Sequence, residues 1–262
     1  MDYKSIDNLK VYYRKGTSDE SVIKETFFDQ IFQIGFPEYI PKPDHIVIDI
    51  GAHIGTYSLL LSQILTAGMV HAFEPCEDTY VYLEKNITGN NIKNIKAHKI
   101  ALTDSIGETK LYYDTENGNW GHSIVKELSS FGEIVKTDTL SSFFETNKID
   151  NCDYIKFNCE GAEFKILLST PVEVLKKVQN MLVLYHLDLT SEYTIKQLID
   201  HLKKAGFYTE IRQKSDDGKR GWLIVIRASA FKKIGLTLKS LSRSVSKSLF
   251  LTRVKNKLKR LF

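Results

Sequence analysis

Asp49, Gly51 and Gly55 sit in the stretch Asp49-Ile50-Gly51-Ala52-His53-Ile54-Gly55, and Glu74 follows 23 residues after Gly51. Two glycines between an apolar run and a helical one let the backbone approach a ligand closely, or simply let a helix pack tightly on a strand. The pair alone leaves both readings open. Glu74 narrows them, because it ends the next apolar run about where dinucleotide folds place the acid that grips ribose hydroxyls. A carboxylate suits that task, since it accepts a hydrogen bond from each hydroxyl of a diol. A nicotinamide dinucleotide would need a G-x-G-x-x-G cradle for its pyrophosphate, whereas the spacing here is D-x-G-x-x-x-G. An adenosyl sulfonium carries no phosphate. It needs a turn for its amino-acid end, an acid for its ribose and a polar edge for adenine after a third strand, where "ALTD" (101–104) stands. The pattern leans to S-adenosylmethionine as cofactor, and a dehydrogenase is the distant alternative.

These residues must be carried to one edge of a sheet. Ile46–Ile50 is short, β-branched and almost wholly apolar, as a buried strand is. Thr56–Leu65 places Leu59, Leu60, Ile64 and Leu65 at helical spacing, and Met69–Phe73, Thr79–Asn86 and Ile95–Leu102 read as strand, helix and strand. This alternation predicts a parallel sheet with helices on both faces. Strand 154–158, helix 162–168, strand 181–185 and helix 194–204, stopped by Gly206, continue it. "GFYTEIR" (206–212) and "GWLIVIRA" (221–228), joined by a turn-like segment, predict an antiparallel edge pair. Short strands at 109–113, 123–125 and 134–135 surround "TENGNWGHS" (115–123), an expected insertion or lid that carries Trp120 and His122 for acceptor binding. Ser142 with Glu145 resembles a capping box, with Ser141 as the alternative cap.

Composition sets the frame. The chain has 262 residues, 42% hydrophobic and 26% charged, as in soluble globular proteins. No apolar run approaches the roughly 18 residues of a spanning helix, and from the polar start no signal peptide is expected. Cys76, Cys152 and Cys159 are too few and scattered for a disulfide framework or a zinc site, so a cytoplasmic location is expected. The net charge of +4 is uneven: residues 228–262 hold ten Lys or Arg and no acid, which leaves −6 on the rest. Three parts are expected: an N-terminal segment (1–45), an α/β domain (46–228) and a basic tail (229–262).

In order along the chain stand "RKGTSD" (14–19), "VIDIGAHIGTYS" (47–58), "AFEP" (72–75), "NITGNNIKNI" (86–95), "ALTDSIG" (101–107), "TL" (139–140) and "DYIKFNCEGAE" (153–163). Over roughly residues 11–227 the chain resembles the FkbM family of S-adenosylmethionine-dependent methyltransferases. The resemblance implies a Rossmann-like class I methyltransferase sheet, mostly parallel with an antiparallel end strand and helices on both faces. It implies donor contacts from Asp49, Gly51, Ala52 and Gly55, ribose binding by Glu74 beside Pro75, and adenine packing near Ala101 and Leu102. Ser18 and Asp19 would close over the donor. Acceptors in the family are mostly hydroxyl groups on sugars, polyketides and other natural products, so a sugar, glycan, glycolipid or natural-product hydroxyl is the expected partner.

Methyl transfer to an alcohol is an in-line displacement at a sulfonium carbon, and a base must take the hydroxyl proton as the bond forms. His186 and Glu160 are the candidates. Glu163, in a first helical turn, ranks third and reads as structural. Three positions depart from the family pattern: Asn158 stands where Asp is usual, Tyr185 where Glu precedes the histidine, and Ser141 where Asp is frequent. Asn158 can still orient a substrate hydroxyl. Asn158 and Tyr185 are both expected at strand ends facing the active site. With two carboxylates gone no essential metal is expected, and a donor-binding module without turnover is the second reading.

In the tail, Ile234, Leu238, Leu241 and Val245 recur at spacings of 4, 3 and 4, and Leu251, Val254, Leu258 and Leu261 at 3, 4 and 3. Lys and Arg fill the other face. This is the pattern of a basic amphipathic helix, and an anionic membrane surface is its expected partner. A partner's helix is the alternative. Nucleic acid ranks last, because stacking aromatics are scarce and no reading motif is present.

Overall fold

In the computed structural model, which describes residues 1–114 and 121–229, the chain opens with the hairpin β1 (Asp2–Ile6) and β2 (Leu9–Tyr13). Two short helices, α1 (Asp19–Ile23) and α2 (Ile31–Gly35), follow on either side of a π-helical stretch, Lys24–Phe28. Next come β3 (Ile46–Ile50), α3 (Thr56–Ser62), β4 (Met69–Phe73), α4 (Glu77–Gly89) and β5 (Ile95–His98). The middle of the chain forms β6 (Ala101–Thr103), β7 (Gly107–Tyr112), β8 (Gly132–Thr139) and α5 (Leu140–Thr146). Then follow β9 (Cys152–Phe157), α6 (Ala162–Ser169), α7 (Val172–Leu175), β10 (Val178–His186), α8 (Ile195–Lys204), β11 (Phe207–Arg212) and β12 (Arg220–Arg227).

Among the described residues seven strands form the main sheet, in the order β11-β12-β10-β9-β3-β4-β5. From β10 to β5 every neighbouring pair is parallel, and β12 and β11 close the edge antiparallel. The chain winds outward from β3 through β4 to β5, and in the other direction from β9 to β10. The strand order therefore reverses between β3 and β9, and open α/β sheets bind ligands in the crevice at such a switch point. Ile50 is in register with Phe73 on one side and Phe157 on the other, so Gly51, Glu74 and Asn158 leave the sheet side by side.

Both faces of the sheet are covered, as a parallel sheet requires. Ile48, Ile50 and Phe157 pack with Phe144, Phe164 and Leu198 on one face. Val47 and Tyr154 pack with Leu59, Leu61 and Phe36 on the other. Among these apolar side chains lie two buried charges, Asp49 and Lys156, which are register partners on β3 and β9. Asn86 on α4 ties the opening hairpin to the glycine loop: its Oδ1 accepts from Tyr12 N at 2.6 Å and its Nδ2 donates to Ile54 O at 2.7 Å.

Several sequence expectations change. The strand expected over 95–102 breaks after His98, and β6 leaves the main sheet to pair in parallel with β8 in a separate three-stranded sheet, β6-β8-β7. Main-chain pairing to β4 ends at Phe73 with His98, and the break lets Ala101 and Leu102 line the cavity described below. Helix α5 is capped by Thr139, whose Oγ1 accepts from Ser142 N at 3.1 Å, and not by Ser141 or Ser142. Thr139 has the extended backbone a cap needs, and the helix starts one residue later. Strand β8 is far longer than 134–135, and of 123–125 only Ser123 makes a bridge, to Tyr112. The hairpin β1–β2 had no counterpart in the sequence reading. Trp120 and the amphipathic tail 231–262 lie outside the described residues.

Candidate active site

A cavity of about 1070 Å³, counting its open mouth, lies at the C-terminal ends of β3, β4 and β9. Gly51 and Ala52 form part of its floor. Their N–H groups both donate to Phe73 O, at 3.1 and 2.9 Å, which folds the loop back over β4. Gly51 has φ +72°, and a Cβ there would stand 1.9 Å from Asn158 O. Only glycine fits, and the floor it leaves is bare backbone. Beneath the loop, Asp49 is fully buried and accepts from Ser58 Oγ and Lys156 Nζ, both at 2.8 Å. Lys156 Nζ also donates to Gly51 O at 2.9 Å.

Glu74 stands at the cavity wall with one backbone donor on each oxygen: His53 N to Oε2 and Cys76 N to Oε1, both 2.9 Å. Burial raises its pKa to about 7 against the pull of those two bonds. A carboxylate has about four acceptor positions, so two remain for a diol. His53, held at φ +55°, lines the same wall, and neither ring nitrogen finds a hydrogen-bond partner among the described residues. Burial lowers its pKa to about 4 and leaves the ring neutral. A bare-backbone floor, a buried acid with open lone pairs and an unpartnered imidazole fit an adenosyl group better than a packed core.

The N-terminal segment closes this half. Asp19 is fully buried and gripped by Arg14, whose backbone N and Nε donate to Oδ2 at 2.7 and 2.9 Å and whose Nη2 donates to Oδ1 at 2.8 Å. Arg14 Nη1 reaches Thr79 Oγ1 at 3.2 Å, and Thr79 lines the cavity. Asp19 Oδ1 lies 3.4 Å from His53 Nε2.

Across the cavity, Glu160 turns out of β9 at φ +49° and lines the wall beside Asn158. Gly121 packs against its carboxyl group, and Ser123 Oγ donates to its backbone oxygen at 2.8 Å. Behind it stands His186. Its Nε2 is 3.7 Å from Glu160 Oε2, and its Nδ1 meets the fully buried Glu163 Oε1 at 2.7 Å. Burial opposes charge on this imidazole, but Glu163 and then Glu160 outweigh it and lift the pKa to about 9. Burial raises the pKa of Glu160 despite that neighbour. His122 Nδ1 accepts from Asp114 N at 3.0 Å, so its other nitrogen carries the proton of a ring that burial keeps neutral.

The sequence matches the methyltransferase FkbM domain over residues 49–208. The chain belongs to the FkbM methyltransferase family. It is similar to Methyltransferase 1 of Beauveria bassiana, 25% identical over 63% of this chain and 72% of that one. It is also similar to Methyltransferase sdnD of Sordaria araneosa, 25% identical over 68% of this chain and 78% of the relative. Among solved structures, M. jannaschii TYW2 in complex with AdoMet aligns over 85% of this chain and 87% of its own, at 16% identity and a TM-score of 0.42. The methyl donor of this FkbM methyltransferase is S-adenosylmethionine.

Of the donor residues read from the FkbM resemblance, Gly51, Ala52, Glu74, Pro75, Ala101 and Leu102 line the cavity. Asp49, Gly55, Ser18 and Asp19 do not. Asp49 spends both oxygens beneath the loop, and Gly55 admits Leu83, whose Cδ1 would be 2.4 Å from a Cβ there. Asp19 is taken up by Arg14, with Ser18 buried next to it. Asn158 and Glu160 line the cavity, whereas His186 stands behind Glu160 and its raised pKa leaves it charged near neutrality, so it offers no free base. Tyr185 does not face the cavity: its ring is buried in the core with its hydroxyl over Gly221. Lys156, Arg14 and His53 were missed. A lone charge inside each of the apolar strands "VIDI" and "YIKF" was the available signal, since buried charges come in pairs.

Proposed function

We propose that this methyltransferase methylates an alcohol oxygen on a small acceptor, a sugar, glycan, glycolipid or natural product, with Glu160 as the base. The observation that carries this reading is the line Glu163–His186–Glu160, which ends in a carboxylate at the cavity wall. When bound, the donor supplies an electrophilic methyl group on a sulfonium. Glu74 accepts hydrogen bonds from the ribose hydroxyls. Asn158 orients the acceptor hydroxyl, and Glu160 takes its proton. A carboxylate raised by burial is a stronger base than an exposed one, and the charged His186 beside it keeps the ionised form available. Glu163 holds that imidazole in place from behind.

Mass spectrometry of hydroxyl-bearing acceptors incubated with enzyme and donor tests the reading. A gain of one methyl group on oxygen is expected. Glu160→Gln should cut the transfer rate by about a hundredfold or more, the usual worth of a general base, and leave donor affinity unchanged. Tight donor binding with transfer to nitrogen or carbon alone, or to no acceptor, overturns it; the last result favours a donor-binding module.

For the basic segment 231–262 the sequence pattern supports docking on an anionic membrane surface. No helix among the described residues is long and apolar enough to cross a membrane. Sedimentation with anionic liposomes should pellet the full chain and spare a chain ending at residue 228. Equal pelleting of both overturns the docking.

A further inference from the structure

Lys156 and Glu25 have no part in the transfer step above, yet both line the cavity. Lys156 is 4% exposed, and an ammonium at that depth needs partners. Two of its three N–H donors go to Asp49 Oδ1 and Gly51 O. The same Nζ lies 5.6 Å from the centre of the Phe32 ring, which lines the cavity and packs 4.7 Å from the ring of Tyr57 in the first turn of α3. That leaves one donor for the cavity. Glu25 belongs to the same end. Its neighbour Thr26 has its Oγ1 2.9 Å from Thr56 Oγ1, at the start of α3 and just beyond the glycine loop. Glu25 is half-buried and makes no hydrogen bond or ion pair among the described residues.

A fixed cation and an unpaired carboxylate at one end of a cavity match a zwitterion. Glu74, at the other side of the loop, has the open acceptor positions a ribose needs. Resting on the donor reading above, we propose that Lys156 and Glu25 hold the amino-acid end of the methyl donor, Lys156 bonding its α-carboxylate and Glu25 its α-ammonium. Asp49 then has a second task besides bracing the loop: it fixes the lysine so that its remaining proton points to the ligand. The charge on Lys156 is already balanced by Asp49, so Glu25 supplies the negative partner the ammonium requires.

Titration calorimetry with two compounds tests this. S-adenosylhomocysteine carries the amino acid; 5′-methylthioadenosine has the same adenosine and lacks it. Lys156→Met alone would strand the buried Asp49, so the charge-balanced pair Lys156→Met with Asp49→Asn is the variant to use. It should lose about tenfold or more in affinity for S-adenosylhomocysteine, as a charge-assisted hydrogen bond is worth, and keep its affinity for methylthioadenosine. Glu25→Gln, which unpairs no buried group, should show the same selectivity at a smaller size, about three- to tenfold, and decides the matter if the double variant does not fold. Equal losses for both compounds would mean that the residues only brace the loop, and unchanged affinities would place the amino-acid end elsewhere; either result overturns the assignment while leaving the donor reading intact. Wild-type protein that binds neither compound overturns both.

Discussion

The two halves of the cavity are built differently. The donor half comes largely from one stretch, residues 49–75, in which each acid has its partners: Asp49 has Ser58 and Lys156, and Glu74 has two backbone N–H groups. The half proposed above for the acceptor draws on Gly121, Ser123, Asn158, Glu160, Glu163 and His186, and it leaves Glu163 Oε2 buried without a partner among the described residues. A half that binds the same compound at every turnover can hold those two acids fixed. A half that must accept a proton holds charge in reserve. Breaking the rigid half should therefore abolish binding, whereas breaking the other should alter rate and pH dependence.

The largest effect is expected at Gly51. Alanine there meets Asn158 O and keeps φ at +72° only under strain. Gly51→Ala should cost about 3 kcal/mol of stability in a denaturant melt, within the range for strained or overpacked sites, and remove measurable donor binding by calorimetry. Near-native binding by a stable variant would show that the loop yields, and the contrast between the halves would fail. Next comes Glu74→Ala, which removes the carboxylate proposed to accept from the two ribose hydroxyls and should weaken donor affinity by about a hundredfold. In the wild type that affinity should also fall as the pH drops below about 7, where Glu74 takes up a proton and can no longer accept both bonds. A flat profile from pH about 8 to about 5.5 would remove Glu74 from the ribose.

The same contrast explains what could be read from the sequence. Gly51, Glu74 and the strands that carry them follow from local patterns, because spacing along one stretch fixes their positions at adjacent strand ends. Asn158 and Glu160 were reachable through a short motif. The Asp49–Lys156 pair spans 107 residues and depends on the register of β3 against β9, which no local pattern sets. The turn away after His98 and the hairpin anchored by Asn86 are likewise decided by distant partners. Glu163 was ranked as structural from its helical turn, and only the fold shows that it faces His186.

Glu163→Gln probes the acceptor half at a smaller scale. Without the anionic partner at 2.7 Å, His186 should titrate well below its native value of about 9. The sign for stability is fixed. A histidine whose folded pKa is raised stabilises fully below its ordinary value of 6.5, and that contribution is lost as the pH rises through about 9. Thermal unfolding should show the wild type losing stability across that window and the variant losing less. Transfer should slow by about tenfold, with the alkaline limb of the rate profile moved to lower pH and donor affinity unchanged. An unmoved profile would make Glu163 a packing residue and shrink the acceptor half to Glu160 and Asn158.

The smallest effect is expected at Tyr185, and it sharpens the border between the halves and the core. The FkbM family pattern, which has Glu before the histidine, makes this residue at the end of its strand look like a lost carboxylate of the active site. Alternation along β10 sends its ring into the core with Met181 and Val183, and its hydroxyl rests over Gly221. Tyr185→Phe removes one oxygen from that spot and leaves the packing in place. Transfer should change by less than about twofold and stability by no more than about 1 kcal/mol, the ordinary range for a substitution that unpairs no buried group. A large fall in rate with stability preserved would mean that the end of β10 touches the acceptor. The acceptor half would then reach past Glu160, and His186 would face substrate instead of standing behind its base.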